Sequence, residues 1–130
     1  LGAYSVALGL NPQAKGKAAL AAGDGSRADG RSATALGGGV ATGDYSTAIG
    51  VGSTSTNSAA MALANGIASG EGAVAIGPLA RASGKYAVAI GTKVTASGQN
   101  STALGENVTT GVHRGSFIIG DSSPDVPQLI

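Results

Sequence analysis

The chain has 130 residues, of which only 3% are aromatic, with one Phe and no Trp, so the large side chains that usually fill a globular core are missing. The eight basic and seven acidic residues are placed singly and leave a net charge of +1, which provides no basic stripe for a nucleic-acid backbone. Cysteine is absent, which excludes disulfides, thiolate metal sites and a cysteine nucleophile. Hydrophobic residues still make up 42% of the chain, so we expect a compact fold of small side chains with no nucleic-acid partner.

One motif recurs along the chain, beginning with SVALG at residues 5–9. Its closing residue, glycine in every copy except Ala64, returns at intervals of 13 to 15 residues, and a second marker follows six or seven residues later. The second marker is glycine except at Asn57, and asparagine tolerates positive φ better than most other residues, so both markers are predicted to be turns. The predicted turn residues are Gly9, Gly16, Gly23, Gly30, Gly37, Gly43, Gly50, Asn57, Gly70, Gly77, Gly84, Gly91, Gly98, Gly105 and Gly111.

Two turns per coil leave two stretches of about five residues each, which suits strands and is too short for helices. The sequence therefore predicts an all-β parallel solenoid of coils of about 14 residues, with two short strands per coil. In the first strand, the second and fourth motif positions are bulky and share one face. We expect this bulky column to fill the interior of the roll, with core residues Val6, Leu8, Leu20, Leu36, Ile49, Met61, Leu63, Val74, Ile76, Val88, Ile90, Leu104, Phe117 and Ile119.

The first and third motif positions are almost always Ser or Ala and share the opposite face. One coil cannot offset its backbone entropy by burying one or two aliphatic side chains, so coils must stack, and a thin roll needs further buried surface. We expect this small-residue column to be the interface of a homo-oligomer; the alternative is an exposed alanine face on a monomer. The predicted interface residues are Ser5, Ala7, Ala19, Ala21, Ala33, Ala35, Ser46, Ala48, Ala60, Ala62, Ala73, Ala75, Ala87, Ala89, Ser101 and Ala103. The second strand, such as QAKG at residues 13–16, is expected to face water.

The chain start and end indicate how the segment is organised. No apolar run approaches the length of about 18 residues that a membrane helix needs, and the first residues lack an export signal pattern. Leu1 and Gly2 resemble the end of an earlier repeat, so we expect a fragment of a longer protein whose residues 1–120 form the roll. Residues 121–130 are predicted to be an exit segment toward the next domain, because Pro124 and Pro127 cannot donate in a sheet ladder.

The sequence offers no arrangement typical of catalysis, a cofactor or a metal. The glycine pairs lack the third glycine of a dinucleotide-binding loop, and no glycine-lysine-serine/threonine motif is present. The acidic residues fall mainly in turns and do not follow a calcium-binding nonapeptide period. His113 is expected to be a solvated loop residue, with an anion or metal site shared between symmetry mates as the alternative. We therefore expect no enzyme activity and no cofactor.

The units SVALG, STAIG, AVAIG and STALG, each followed by variants of x-x-A-x-A-x-G, resemble the head repeats of trimeric autotransporter adhesins of the YadA type. The resemblance covers roughly residues 1–120. It implies a left-handed parallel β-roll, three identical chains packed side by side, and display at the outer membrane surface of a Gram-negative bacterium, with no membrane insertion by this segment. It also implies a virulence role in which the head attaches to host extracellular matrix or cell-surface molecules, with collagen, fibronectin and laminin among the usual ligands.

The function expected from these observations is a non-enzymatic adhesin head. Two alternatives are a spacer that projects another binding head and an ice-binding solenoid, although Thr34, Thr47 and Thr102 are too irregular for an ice-binding array. An acyltransferase β-helix would show hexapeptide periodicity, which the period of about 14 residues excludes. Outward cations are expected to contact the ligand, and these are Lys15, Lys17, Arg27, Arg31, Arg81, Lys85 and Lys93.

Overall fold

The computed structural model describes residues 1–121, which form a parallel β-solenoid of two sheets without any helix in that range. The nine-stranded sheet consists of β1 (Val6–Leu8), β3 (Leu20–Ala22), β5 (Thr34–Leu36), β7 (Thr47–Ile49), β9 (Met61–Leu63), β11 (Val74–Ile76), β13 (Val88–Thr92), β15 (Thr102–Glu106) and β16 (Phe117–Gly120). The seven-stranded sheet consists of β2 (Gln13–Ala14), β4 (Arg27–Ala28), β6 (Val40–Ala41), β8 (Thr54–Ser55), β10 (Ile67–Ala68), β12 (Arg81–Ala82) and β14 (Thr95–Ala96). Of the predicted exit segment 121–130, all but Asp121 lies outside the described residues.

Each strand pairs in parallel with the equivalent strand of the next coil, so equivalent residues stack along the solenoid. Ala7 pairs with Ala21, for example, and Ala21 with Ala35. The predicted all-β solenoid is confirmed, and it is consistent with a left-handed β-roll. The strands are shorter than the five residues expected, since most contain three residues in the first sheet and two in the second. The corner residues take up the rest of each coil.

The two faces of the nine-stranded sheet are the reverse of the prediction. The small column points into the roll, and its members from Ala19 to Ala103 are at most 1% exposed within a single chain, whereas Ser5 and Ala7 in the first coil are half-buried. The assignment of this column to a chain–chain interface is therefore wrong. Its residues meet the inward side chains of the second sheet, which are Ala14, Ala28, Ala41, Ser55, Ala68, Ala82 and Ala96.

The interior is too thin for larger side chains, which explains the reversal. A Cβ placed on Gly39 would lie 2.3 Å from the carbonyl oxygen of Ala48, and one on Gly66 would lie 2.4 Å from that of Ala75. Side chains of ordinary size hold stacked sheets about 10 Å apart, and short coils with glycine corners close that gap. The buried positions are filled by alanine and serine, and toward the last coils also by Val94, Val108 and Thr110.

The bulky column lies on the outside of the roll, so its assignment to the core is also wrong. Half of its members are exposed: Val6, Leu8, Ile49, Met61, Ile90, Phe117 and Ile119. The other half are half-buried, at Leu20, Leu36, Leu63, Val74, Ile76, Val88 and Leu104. We call the outward side chains of the nine-stranded sheet the outer sheet face. It is a band of large aliphatic groups that continues from β1 to β16.

The two glycine markers have different structural roles. The closing residues from Gly9 to Gly105 adopt positive φ, including Ala64 at 52°. Those up to Gly77 lie in bends or turns, as predicted, whereas Gly91 and Gly105 lie inside β13 and β15 and pair with each other, so their assignment to turns is wrong.

The second marker glycines from Gly16 to Gly98, by contrast, are required by close approach: a Cβ on Gly16 would lie 1.9 Å from the oxygen of Gly30. Gly111 differs from these, since it has a φ of 64° and space for a Cβ, as expected of a turn. Asn57 does not have positive φ, so the reason given for asparagine there is wrong. Its Nδ2 instead donates to the oxygen of Ser69 on the next coil at 2.7 Å.

The last described coil carries a larger side chain in its inward column. Ile118 stacks on Ala103, points inward and packs against the alanine cluster. Among the described residues, the second sheet has no strand opposite β16, since its last strand is β14 with a single bridge from Thr95 to Thr109. The third motif position is alanine in the eight preceding coils, so Ile118 is the one large side chain of this column within residues 1–121.

Candidate binding surfaces

The outer sheet face is the largest apolar surface of the described chain. Every coil contributes two outward positions, and these are aliphatic or aromatic except at Ala22, Thr34, Thr47 and Thr102. A partly exposed apolar band that extends over all nine strands is typical of an interaction surface. Sequence reasoning recognised both columns but assigned them to the wrong sides. The signal that could have corrected it is the second small column, such as Ala14 and Ala28, because two small faces pack together most easily.

The outward face of the second sheet carries isolated polar groups. Arg27 pairs with Asp29, its Nε donating to Asp29 Oδ2 at 2.7 Å. This hydrogen bond, together with the charge of Asp29, raises the pKa of the Arg27 guanidinium above its ordinary value. Lys15 and Arg81 are exposed on the same side and make no ion pair within the described residues. This face therefore holds separate charges and no shared site.

A third surface follows the turns that lead from each second strand into the next first strand. We call it the turn ridge, and at each turn its second residue has φ between 55° and 67°. These residues are Tyr4, Ala18, Ser32, Tyr45, Ala59, Gly72, Tyr86, Asn100 and Gly115. Backbone hydrogen bonds join consecutive turns, for example from the nitrogen of Tyr45 to the oxygen of Arg31 at 2.7 Å. The ridge is thus held in register by the main chain.

Two clusters on the turn ridge combine a tyrosine, a cation and a carboxylate. In the first, the Arg31 guanidinium lies 5.0 Å from the centre of the Tyr45 ring and 3.7 Å from Asp44 Oδ2. In the second, Lys85 Nζ lies 5.1 Å from the Tyr86 ring centre.

The carboxylate of the second cluster is Glu71. Lys85 Nζ lies 3.2 Å from Glu71 Oε2, and the Tyr86 hydroxyl is 3.4 Å from Glu71 Oε1. The hydrogen bond and charge of Glu71 raise the pKa of the Lys85 ammonium above its ordinary value.

The seven cations expected to contact a ligand are all exposed, but the structure does not bring them into one site. Arg27, Arg31 and Lys85 are engaged with carboxylates of the same chain. The other four, which are Lys15, Lys17, Arg81 and Lys93, make no ion pair within residues 1–121. The tyrosines were missed as site residues, although their even placement before β1, β7 and β13 was visible once the coils were aligned.

No reactive or metal-binding cluster accompanies these surfaces in the described part of the chain. Residues 1–121 contain no group of three or more His, Asp or Glu side chains that could hold a metal ion. His113 is exposed in the turn of the longest coil. A search of the same residues for a helix long and apolar enough to cross a membrane finds none.

The fold and its surfaces define a repetitive β-solenoid that presents extended faces, which is the architecture of a structural or adhesive module. The family model for the YadA head domain repeat matches residues 14–39, 41–63, 68–93 and 95–107, more than half of the chain. The chain therefore belongs to the YadA head domain repeat family and is an adhesin-type head of a trimeric autotransporter. A comparison with curated proteins gives no match.

Proposed function

We propose that this segment is a homotrimeric, non-enzymatic adhesive head that attaches to host matrix proteins or cell-surface molecules, at the surface of a Gram-negative bacterium. Membership of the YadA head family supports the adhesive role. The observation that carries the trimer is the outer sheet face, which leaves aliphatic side chains such as Leu8 and Ile49 exposed in a single chain.

The energetics of the roll favour association through that face. The interior contains mainly alanine and serine, so the coils gain little from side-chain burial inside the roll. Fully burying a Leu or Ile contributes about 1.5–3 kcal/mol, and the outer sheet face has such a residue in nearly every coil. Packing three chains along this face supplies the burial that the thin interior lacks. The small-residue column, enclosed inside each chain, takes no part.

Ligand contact in this proposal uses the outward cations, and the four without an ion pair are the strongest candidates. Lys15, Lys17, Arg81 and Lys93 are free to meet carboxylates or sulfates of a partner, whereas Arg27, Arg31 and Lys85 would first have to release an internal partner. Three chains present each cation three times, so weak contacts gain by multivalency.

A solid-phase assay tests the attachment. The purified segment, shown to be trimeric by light scattering, is applied to collagen, fibronectin, laminin and fixed host cells. A variant with Lys15, Lys17, Arg81 and Lys93 changed to Gln is expected to lose binding by tenfold or more. A variant with the exposed residues Gln13, Thr56, Ser58 and Ser83 changed to Glu has the same change in net charge and is the control. Unchanged matrix binding by the first variant would reject these contacts. A trimer that binds none of the targets would support the spacer function instead.

A further inference from the structure

All three tyrosines of the chain lie on the turn ridge. Tyr4 precedes β1, Tyr45 precedes β7 and Tyr86 precedes β13, so neighbouring tyrosines are separated by three coils. Their side chains are 85%, 56% and 50% exposed. At about 4.8 Å per strand, three coils correspond to about 14 Å, so the rings form an evenly spaced row along the roll.

The fold does not require tyrosine at these positions. The equivalent residues of other coils, Ala18, Ala59 and Gly72, have nearly the same backbone conformation, with φ of 57°, 56° and 63°. The same backbone hydrogen bond forms whichever residue is present, since Ala18 donates to Ala3 as Tyr45 donates to Arg31. Positive φ is unfavourable for a bulky residue. Three exposed aromatic side chains in this conformation are therefore explained better by a ligand than by folding.

The surroundings of the rings define the chemistry that the ridge can recognise. Tyr86 leans over Gly72, where a Cβ would come within 2.6 Å of its Cδ1, so the missing side chain makes room for the ring. The Arg31–Asp44 and Lys85–Glu71 pairs place one donor group and one acceptor group beside a ring in each cluster. Each cluster carries no net charge, which disfavours a polyanion or a polycation as the ligand.

We propose that the turn ridge binds a linear, neutral glycan laid along the roll axis, an inference that rests on the adhesive function proposed above and adds to its cation contacts a second surface with a ligand class of its own. The C–H face of a sugar ring packs on an aromatic ring. Sugar hydroxyls both donate and accept hydrogen bonds, so they can bind the cation and the carboxylate that lie beside Tyr45 and Tyr86. Tyrosine supplies a rigid contact area with little entropy loss. A row of evenly spaced rings matches an extended polymer, and several weak contacts along one polymer together increase its affinity.

The test measures binding of the trimeric segment to an immobilised neutral poly-N-acetyllactosamine chain, with heparin and a proline-rich collagen-like peptide as the other arms. The double variant Tyr45→Ala/Tyr86→Ala is expected to lose roughly tenfold or more in glycan affinity, because each aromatic contact contributes a several-fold factor. Tyr45→Phe/Tyr86→Phe keeps the rings and is expected to retain most of the affinity. Circular dichroism and light scattering establish that every variant stays folded and trimeric.

A register variant tests the row itself. Tyr45→Ala combined with Ala59→Tyr keeps three rings but moves the middle one by one coil, so long chains should bind more weakly while a single disaccharide binds as before. Binding of heparin or the proline-rich peptide through the tyrosines, dissociation of the double variant into monomers, or no binding of the neutral glycan would overturn the inference. If the segment still attaches to matrix or cells while the tyrosine variants are unaffected, only this inference fails; if it attaches to nothing, the adhesive function fails with it.

Discussion

Two neighbouring residues of β11 provide a direct test of which face of the sheet is buried. Ala75 is 0% exposed within one chain, and a Cβ on Gly66 would lie 3.1 Å from its methyl group, so the interior has no space for a longer side chain. A buried, unpaired carboxylate costs several kcal/mol, a large part of a total stability of about 5–15 kcal/mol. Ala75→Glu should therefore unfold the roll at every protein concentration.

Ile76→Glu places the same carboxylate on the outer sheet face, where Ile76 is half-buried in a single chain. There the carboxylate stays in water in the folded single chain and loses its water only when chains associate. The desolvation cost of several kcal/mol therefore reduces the free energy of association, and the folding of one chain is little affected. The proposed trimer of this variant should dissociate at a higher protein concentration than that of the parent chain, and the melting temperature of the variant should depend more strongly on concentration.

Light scattering and thermal melts followed by circular dichroism, each over a range of concentrations, separate the two effects. Ala75→Ser and Ile76→Leu are the conservative controls, since Ser55 fills an inward position of β8 and Leu63 stacks on Ile76. A folded monomer from Ala75→Glu, together with an undisturbed trimer from Ile76→Glu, would refute the orientation of the sheet described here.

Three further predictions concern the coil ends and the turn ridge. Gly84→Ala should lower the melting temperature more than Gly25→Ala, because a Cβ on Gly84 would lie 2.2 Å from a backbone oxygen. A Cβ on Gly25 would meet open space, so Gly25→Ala costs only the backbone strain of an alanine at a φ of 67°, about 1 kcal/mol. Ile118→Ala should lower the free energy of unfolding by about 1–2 kcal/mol in a thermal melt, since the partly buried Ile118 packs on the alanine cluster. An unchanged melt would show that this packing does not stabilise the roll. Because Glu71 raises the pKa of Lys85 above its ordinary value of 10.5, this pair should stabilise the fold fully from neutral pH up to pH 10.5 and lose its contribution as the pH rises through the folded pKa. Melts of Glu71→Gln and the parent between neutral and strongly alkaline pH check this, and a difference that grows with pH would contradict it.

The local sequence pattern was sufficient to predict the solenoid architecture. Closing residues such as Gly9 and Gly50 adopt the positive φ expected of turns, and the short stretches between turns leave space only for strands. Parallel stacking in register follows because equivalent residues recur at nearly constant intervals, as in the pairing of Ala75 with Ala89. These features depend on backbone sterics and spacing, which are local properties of a sequence.

The direction in which each face points could not be obtained in this way. Strand alternation shows that Ala75 and Ile76 lie on opposite sides, but it does not say which side is enclosed. The usual rule that bulky residues lie inside suggested the wrong answer, because it assumes an interior of ordinary thickness. Here the corners of a short coil bring the backbone close to the inward alanines, as at Gly39, where a Cβ would lie 2.3 Å from the carbonyl oxygen of Ala48.

The sequence by itself determined the repeat, the turns and the strands, because each is fixed by steric preferences within one coil. Only the tertiary structure decided that alanine fills the roll and that the aliphatic column faces outward. These features depend on the distance between the two sheets and on the number of residues in the corners of each coil. Both quantities are set by the packing of the whole solenoid.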